Sequence, residues 1–407
     1  MLSRLNPQQR EEFEKILLAL GESLDISETQ YNALVQSYGA VGKFLQGDPE
    51  LSVYDPLVSP QGSLRLGTII QPINEDDDMD VDLVFRLKEK SPEWTPKTLK
   101  DKVGARLKSS PRYSKMLDDE GKRCWTLLYR QDSDNMKERY HMDILPSVAN
   151  KDYEEQMRRV LTEAFDLKKL DSISIRITDK EREGYTTQID IKDWLKSNPD
   201  GYAIWFANRC KLRVSTRQLL TEDIIPIGKY NPNKTPLQRI VQILKRHRDI
   251  RFNHNDKKPI SIIITTLAAQ AYQGESNILE GLVTVVNHMR DYITRDENGK
   301  DKVANPLNPD ENYAEKWIKD SERRDNFYKW LEAVQNDLKA ILSSKGTAIW
   351  KTMDKPFGQL IVESANKRYT ERMKANIKSG GAKIASTGLL GAVGQTLNAG
   401  NTFYGKE

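Results

Sequence analysis

The stretch SPQGSLRLGTIIQPINEDDDMDVDLVFRL, from Ser59 to Leu87, constrains the fold more than any other. It sets Asp80 and Asp82 two residues apart inside an apolar, β-branched run. On a strand that spacing projects both side chains from one face of a sheet, while Val81 and Leu83 point to the apolar side. Two carboxylates held that close repel each other. Keeping both ionised costs free energy unless a cation sits between them, and Mg²⁺, a hard oxygen-seeking ion, is the usual one in phosphate chemistry. Taken alone, the pair also suits a solvated strand face.

Two further features favour the metal reading. YHMDILPSV, residues 140 to 148, supplies Asp143 in apolar surroundings on a second strand that can lie beside the first. Ahead of the pair, QGSLRLGT contains a Gly-Ser turn, where the missing glycine side chain lets backbone N–H groups and a hydroxyl approach a phosphate. Asp76, Asp77 and Asp78 read as a solvated turn before the strand. His141 shares the strand face of Asp143, but Mg²⁺ prefers oxygen, so a structural histidine is expected there.

The flanking pattern completes an α/β unit. Residues 8 to 47 carry helical apolar spacing (Phe13, Ile16, Leu17, Leu20; then Tyr31, Leu34, Val35, Tyr38, Val41). LSVYDPLV, MDVDLVFRL, CWTLLYR and YHMDILPSV read as strands, with a helix at about 97–108 between the second and third. The order predicts a mixed sheet. The aromatic set Trp194, Tyr202, Trp205 and Phe206 reads as core packing, although aromatic faces can also stack a base. LTEDIIPIGKYNPNKTP, rich in Pro, Asn and Gly, reads as a domain junction, and from Pro236 onward the spacing is helical. The predicted division is 1–219 for the α/β core with its N-terminal helices, 220–378 for a helical domain, and 379–407 for a Gly-rich tail. A chain of 407 residues exceeds what one core usually supports, in keeping with two domains.

Composition excludes several classes. Lys and Arg total 63 against 59 Asp and Glu, and a net charge of +4 is too weak to demand strong nucleic-acid binding. Cys124 and Cys210, without CxxC spacing, read as free buried thiols in a reduced compartment. The N-terminus has no charged n-region followed by an apolar h-region, and the longest apolar run, ISIIITTLAAQAY, is too short to span a bilayer. A cytoplasmic protein without membrane partners is expected.

Gly-Ser, then Asp-x-Asp, then a distant third Asp on an apolar strand resembles the active site of polymerase-β-like nucleotidyltransferases. Over most of its length the chain resembles the bacterial cGAS/DncV-like nucleotidyltransferases, or CD-NTases. The segments ITDKEREGYTTQIDIKDWLKSNPDGYAIWF and LQRIVQILKRHRDIRF followed by KPISIIITTLAA carry that likeness. The resemblance implies an α+β nucleotidyltransferase core joined to an α-helical, oligoadenylate-synthase-like domain that completes the nucleotide site. It implies that Asp80, Asp82 and Asp143 hold two Mg²⁺ ions, with Mn²⁺ as a substitute. It further implies that Gln61, Gly62 and Ser63 touch the donor triphosphate, and that Lys245 and Ser261 hold the donor phosphates. From the residues alone, Lys245 also suits a solvated basic helix face and Ser261 a helix N-cap.

The implied activity joins NTPs, ATP among them, into a cyclic di- or trinucleotide second messenger with pyrophosphate release, in antiphage defence. A linear oligonucleotide synthase, or a transferase that nucleotidylates a protein or small molecule, would use the same triad. Relatives of this kind are often served by a ubiquitin-transfer-like enzyme acting on the synthase C-terminus. NAGNTFYGKE is the segment such a partner would grip here, although Lys406 and Glu407 follow Gly405.

Overall fold

The computed structural model describes residues 1–73, 79–130, 139–150, 152–162, 170–171, 173–211, 228–253 and 255–378, together with three two-residue strands at 383–384, 390–391 and 396–397. The acidic turn residues Asp76, Asp77 and Asp78, the start of the junction segment and most of the tail lie outside these residues. The chain divides into two compact units: Ile26–Lys234 with Asn305–Glu311, and Met1–Asp25 with Thr235–Ala304 and Asn312–Glu407.

The first unit is built on a mixed sheet. Its strands are β1 (Leu57–Gln61), β2 (Met79–Leu87), β3 (Trp125–Tyr129), β4 (Tyr140–Ala149), β5 (Ile175–Ile177) and β6 (Leu195–Ser197). They run in the order β1-β2-β4-β5-β6, with β3 paired to the first half of β4. β2 and β4 are parallel, and the other pairs are antiparallel. The expected strand in LSVYDPLV is split. Ser52–Tyr54 forms a 3₁₀ turn, Asp55 takes a left-handed conformation at φ 47°, and the strand begins only after Pro56. Proline in β1 is tolerated because β1 is an edge strand.

Helices α1 (Pro7–Ser23) and α2 (Glu28–Gln46) each begin with a capping box, Asn6 with Gln9 and Ser27 with Gln30. Between β1 and β2 lies a short helix, α3 (Gly62–Leu66), where the sequence suggested only a turn. α4 (Pro96–Ser109) matches the expected helix and is followed by α5 (Pro111–Met116). α6 (Tyr153–Thr162) and α7 (Pro199–Arg209) complete the described helices of this unit. The apolar side of the sheet packs on α2 and α4: Leu34, Tyr38, Val41 and Leu45 meet Val81, Leu83 and Phe85, while Leu99, Val103 and Leu107 close the other flank. Each such fully buried side chain contributes about 1.5–3 kcal/mol. Trp194, Tyr202, Trp205 and Phe206 are all buried, as expected of core aromatics.

The second unit is helical. It comprises α1 with α8 (Pro236–Phe252), α9 (Ser261–Ala271), α10 (Ile278–His288), α11 (Glu315–Lys319), α12 (Ser321–Ser343), α13 (Ala348–Phe357) and α14 (Gln359–Lys378). α1 packs along α14, where Arg372 pairs with Glu22 at 2.7 Å. The sequence division put residues 1–25 with the sheet, whereas they group with the helices. An amphipathic period reveals an apolar face but not the partner that covers it. α8 is the central helix, buried at every residue from Leu237 to Arg248. Its buried polar groups are paired: Arg239 with Asp25 at 2.9 Å and the Gly21 carbonyl at 2.7 Å, Gln242 with Asp25 at 2.9 Å, and His247 with Asp337 at 3.0 Å. Among the described residues, no helix is long and apolar enough to cross a membrane.

Candidate active site

The site begins with the register of three strands. Gln61 on β1 lies opposite Asp82 on β2, and Asp82 lies opposite Asp143 on β4. Thr126 on β3 continues the row beyond Asp143. Directly paired residues point to the same face, so Gln61, Asp82, Asp143 and Thr126 form one polar line across the sheet. One step toward the N-terminal ends of β2 and β4, Asp80 lies beside His141. Thus all three aspartates singled out from sequence share a face.

That face is wet at one end and closed at the other. Asp80 is exposed, Asp82 and Asp143 are half-buried, and farther along β2 the same face turns inward with Val84 and Arg86. The Asp143 carboxylate accepts a hydrogen bond from the Thr126 hydroxyl at 2.6 Å. Burial pushes its pKa above the ordinary carboxylate value; the Thr126 hydrogen bond opposes the rise, and the Asp80 charge adds to it. Cys124, two residues before Thr126, is a half-buried free thiol pushed up by burial and by the charges of Asp143 and Asp82.

The Gly-Ser turn sits against Asp82. Gly62 adopts φ +64°, and a Cβ built on it would stand 1.9 Å from the Asp82 Oδ2. Only glycine fits, for its left-handed backbone and for this close approach. Ser63 follows in the first turn of α3, and its carbonyl accepts from Thr68 N–H at 2.9 Å, closing the loop that leads toward β2.

In the helical unit, Lys245 is 6% exposed, which removes the solvated basic face as an account of it. A lysine so deeply placed on a central helix is held by specific interactions rather than by solvent. Ser261 is not the cap of α9, because Ile260 occupies that position without a side-chain cap bond. Its hydroxyl instead accepts from the buried Arg248 guanidinium at 2.9 Å.

The three aspartates offer oxygen donors, which suit Mg²⁺ or Mn²⁺, and the His141 imidazole on the same face, beside Asp80, is the less suited ligand for such an ion. The raised Asp143 and its like-charged neighbours are the electrostatic condition that a cation relieves. Among the described residues, no three acidic, His or Cys side chains stand close enough together to hold an ion as they are oriented. Thr126 engages only the Oδ1 of Asp143, so the hydrogen bond leaves the second carboxylate oxygen for a metal. Thr126 was not foreseen from the sequence. A lone hydroxyl in the apolar run CWTLLYR was the available signal.

Residues 11–166 match the Second Messenger Oligonucleotide or Dinucleotide Synthetase domain. Along its whole length the chain is similar to a c-di-GMP synthase of Roseivirga ehrenbergii, with 31% identity over 97% of both chains. The fold is also similar to that of the Bradyrhizobium diazoefficiens CD-NTase CdnG in complex with GTP, at TM-score 0.62 and 19% identity, covering 88% of this chain and 99% of that one. The chain belongs to the CD-NTases. Other members of similar fold are CdnC of E. coli MS115-1, determined with ATP (TM-score 0.54, 14% identity, 85% of this chain and 97% of that one), and the Vibrio cholerae di-nucleotide cyclase DncV, determined with GTP and 5MTHFGLU2 (TM-score 0.51, 15% identity, 88% and 92%). As a CD-NTase the chain is a nucleotidyltransferase that makes cyclic oligonucleotide second messengers. Its mixed sheet is the polymerase-β-like core of that family, and its second unit is the helical region.

Proposed function

We propose that this CD-NTase joins two GTP molecules into a cyclic dinucleotide with release of pyrophosphate, and that the chemistry takes place on the sheet face bearing Asp80, Asp82 and Asp143. The observation that carries the reading is the row Gln61–Asp82–Asp143, with the Gly62 backbone pressed against Asp82. That geometry sets the Gly-Ser turn directly against the carboxylate face, which supports a phosphate-binding role for the turn. The choice of guanine rests on the likeness to the c-di-GMP synthase over 97% of both chains.

Asp80, Asp82 and Asp143 are the proposed ligands of two Mg²⁺ ions, for which Mn²⁺ can substitute. When bound, such ions supply Lewis-acid activation of the attacking ribose hydroxyl and neutralisation of the departing pyrophosphate. The chain's own residues do the positioning. Gly62 and Ser63 offer backbone N–H groups and a hydroxyl to the donor triphosphate, and Gln61 lines the same edge. Asp143, half-buried and with its pKa raised by burial, stands nearest the attacking hydroxyl. Lys245 and Ser261 are the phosphate-contacting residues proposed for the helical unit, with Arg248 fixing the Ser261 hydroxyl. Phosphoryl transfer is mostly orientation and charge stabilisation, so this set is sufficient in kind. Ring closure follows when the linear intermediate is re-bound with its own hydroxyl facing its own triphosphate. A cytoplasmic setting in antiphage defence is proposed with it.

The test is mass spectrometry of phosphatase-treated products from all four NTPs with Mg²⁺. A phosphatase-resistant product built from GTP is expected. Phosphatase-sensitive linear products only, or a ring without guanine, contradict the reading.

A further inference from the structure

Behind the Gly-Ser turn, the first unit buries a cluster that the catalytic reading does not use. Asp200, on α7, is 1% exposed and accepts from groups on three other elements. The Arg65 guanidinium on α3 pairs with its Oδ1, the Arg86 guanidinium on β2 meets its Oδ2 at 2.9 Å, and the Tyr153 hydroxyl on α6 donates to the same Oδ2. The Arg86 guanidinium also lies 3.9 Å from the centroid of the Tyr153 ring. Arg65 reaches back as well, donating to the Pro60 carbonyl of β1 at 3.1 Å.

The placement of the two arginines gives the cluster its meaning. Arg65 lies two residues after Ser63, and Arg86 lies four residues after Asp82 on the same strand face. Asp200 is therefore the joint through which the helix carrying the turn is tied to the strand carrying the carboxylates. Charge points the same way. Burial alone would raise the Asp200 pKa, but Arg65 and Arg86 hold it far below the ordinary carboxylate range, so it stays ionised. Burial pushes the Tyr153 phenol up, so it stays neutral. Two guanidiniums against one carboxylate leave an excess of one positive charge, in a setting where water screens it poorly. A purely structural ion pair needs no such excess, and burying an extra charge without a use is costly.

We infer that Arg65, Asp200, Arg86 and Tyr153 form the positioning device of the phosphate turn, clamping α3 to β1 and β2 and presenting net positive charge behind Gly62 and Ser63 to the donor triphosphate. This rests on the nucleotidyltransferase reading above. It makes Arg65 and Arg86 positioning residues, acting through the turn and through the field they set up there.

The experiment compares the affinities of a non-hydrolysable GTP analogue and of GMP, with Mg²⁺ present, by competition against a fluorescent guanine nucleotide. The variants are Arg65→Lys, which keeps the charge and loses the planar fork, and Tyr153→Phe, which keeps the ring and removes one donor to Asp200. The preference for triphosphate over monophosphate is expected to fall about tenfold in Arg65→Lys, as for one charge-assisted contact, with GMP affinity unchanged and a smaller fall in Tyr153→Phe. A merely structural cluster lowers the melting temperature and leaves the preference as in the parent; that result in both variants overturns the inference. A parent that itself shows no preference for the triphosphate overturns the nucleotidyltransferase reading of the turn, and this inference with it.

Discussion

The Asp143 carboxylate is the group most at odds with its surroundings, and Asp143→Asn turns that conflict into a measurement. Neighbouring strands lie about 4.8 Å apart, so ionised Asp82 and Asp143 at that spacing repel by about 0.9 kcal/mol at the dielectric of water and about 3.5 kcal/mol at an effective value of 20. For a half-buried face, a gain of about 1–2 kcal/mol on removing one charge is the reasonable figure. It corresponds to a melting-temperature rise of about 2–4 °C per kcal/mol for a unit of this size. The asparagine oxygen still accepts from the Thr126 hydroxyl, so no buried donor is orphaned. The sign with pH follows from linkage. Burial raises the Asp143 pKa in the fold, so the folded state holds its proton more tightly than the unfolded one. The stability this contributes is present below the unfolded value of about 3.9 and is lost as pH rises through the folded value. The advantage of Asp143→Asn is therefore small near pH 4 and grows toward neutrality. Melting curves across that range, with and without Mg²⁺, give the readout. Mg²⁺ should stabilise the parent more than the variant and narrow the gap, while pyrophosphate release is lost in the variant. A variant less stable than the parent at neutral pH, or one that still turns over, refutes the reasoning.

Asp80→Asn and Asp82→Asn are each expected to lower pyrophosphate release by about a hundredfold or more while the protein stays folded, since they remove charge rather than core volume; turnover within about tenfold of the parent, or about 1.4 kcal/mol of barrier, contradicts the assignment. Gly62→Ala should cost about 1–2 kcal/mol of left-handed backbone strain and displace Asp82, abolishing turnover with the helical unit intact by circular dichroism. Lys245→Ala is expected to raise the apparent KM for NTP and also to lower the melting temperature, because the side chain is buried; an unchanged KM removes it from the phosphate set. Deleting residues 399–407 should leave synthesis in vitro intact and remove any covalent adduct formed on the chain in cells, an adduct seen as a mass shift on a denaturing gel.

Much of the site could be read because its chemistry is local. Asp80, Asp82 and the Gly-Ser turn lie within twenty-two residues of one another, and strand alternation alone fixes the face they share. The pairing of Asp82 with Asp143 spans about sixty residues, and the expectation that the Asp143 strand lies beside the first holds in the β2–β4 register. Less legible were distant partners: nothing in NPDGY singles out Asp200, whose partners Arg65 and Arg86 come from 135 and 114 residues away. For Lys245 the basic run left a wet helix face open as an alternative to the phosphate role, and burial removes that alternative, because α8 is buried at every residue from Leu237 to Arg248. The aromatic residues near 194–206 and Cys210 followed ordinary burial preference, whereas Cys124, expected to be buried, is half-buried.

The account stands most directly on where metal binds. Crystals grown with Mn²⁺ and a non-hydrolysable GTP analogue, measured at the manganese absorption edge, locate each ion by its anomalous signal. The expected result is manganese within about 2.0–2.2 Å of carboxylate oxygens of Asp82 and Asp143, with Asp80 completing the set and the triphosphate against Gly62 and Ser63. Manganese bound elsewhere, or a triphosphate seated away from that turn, contradicts the account.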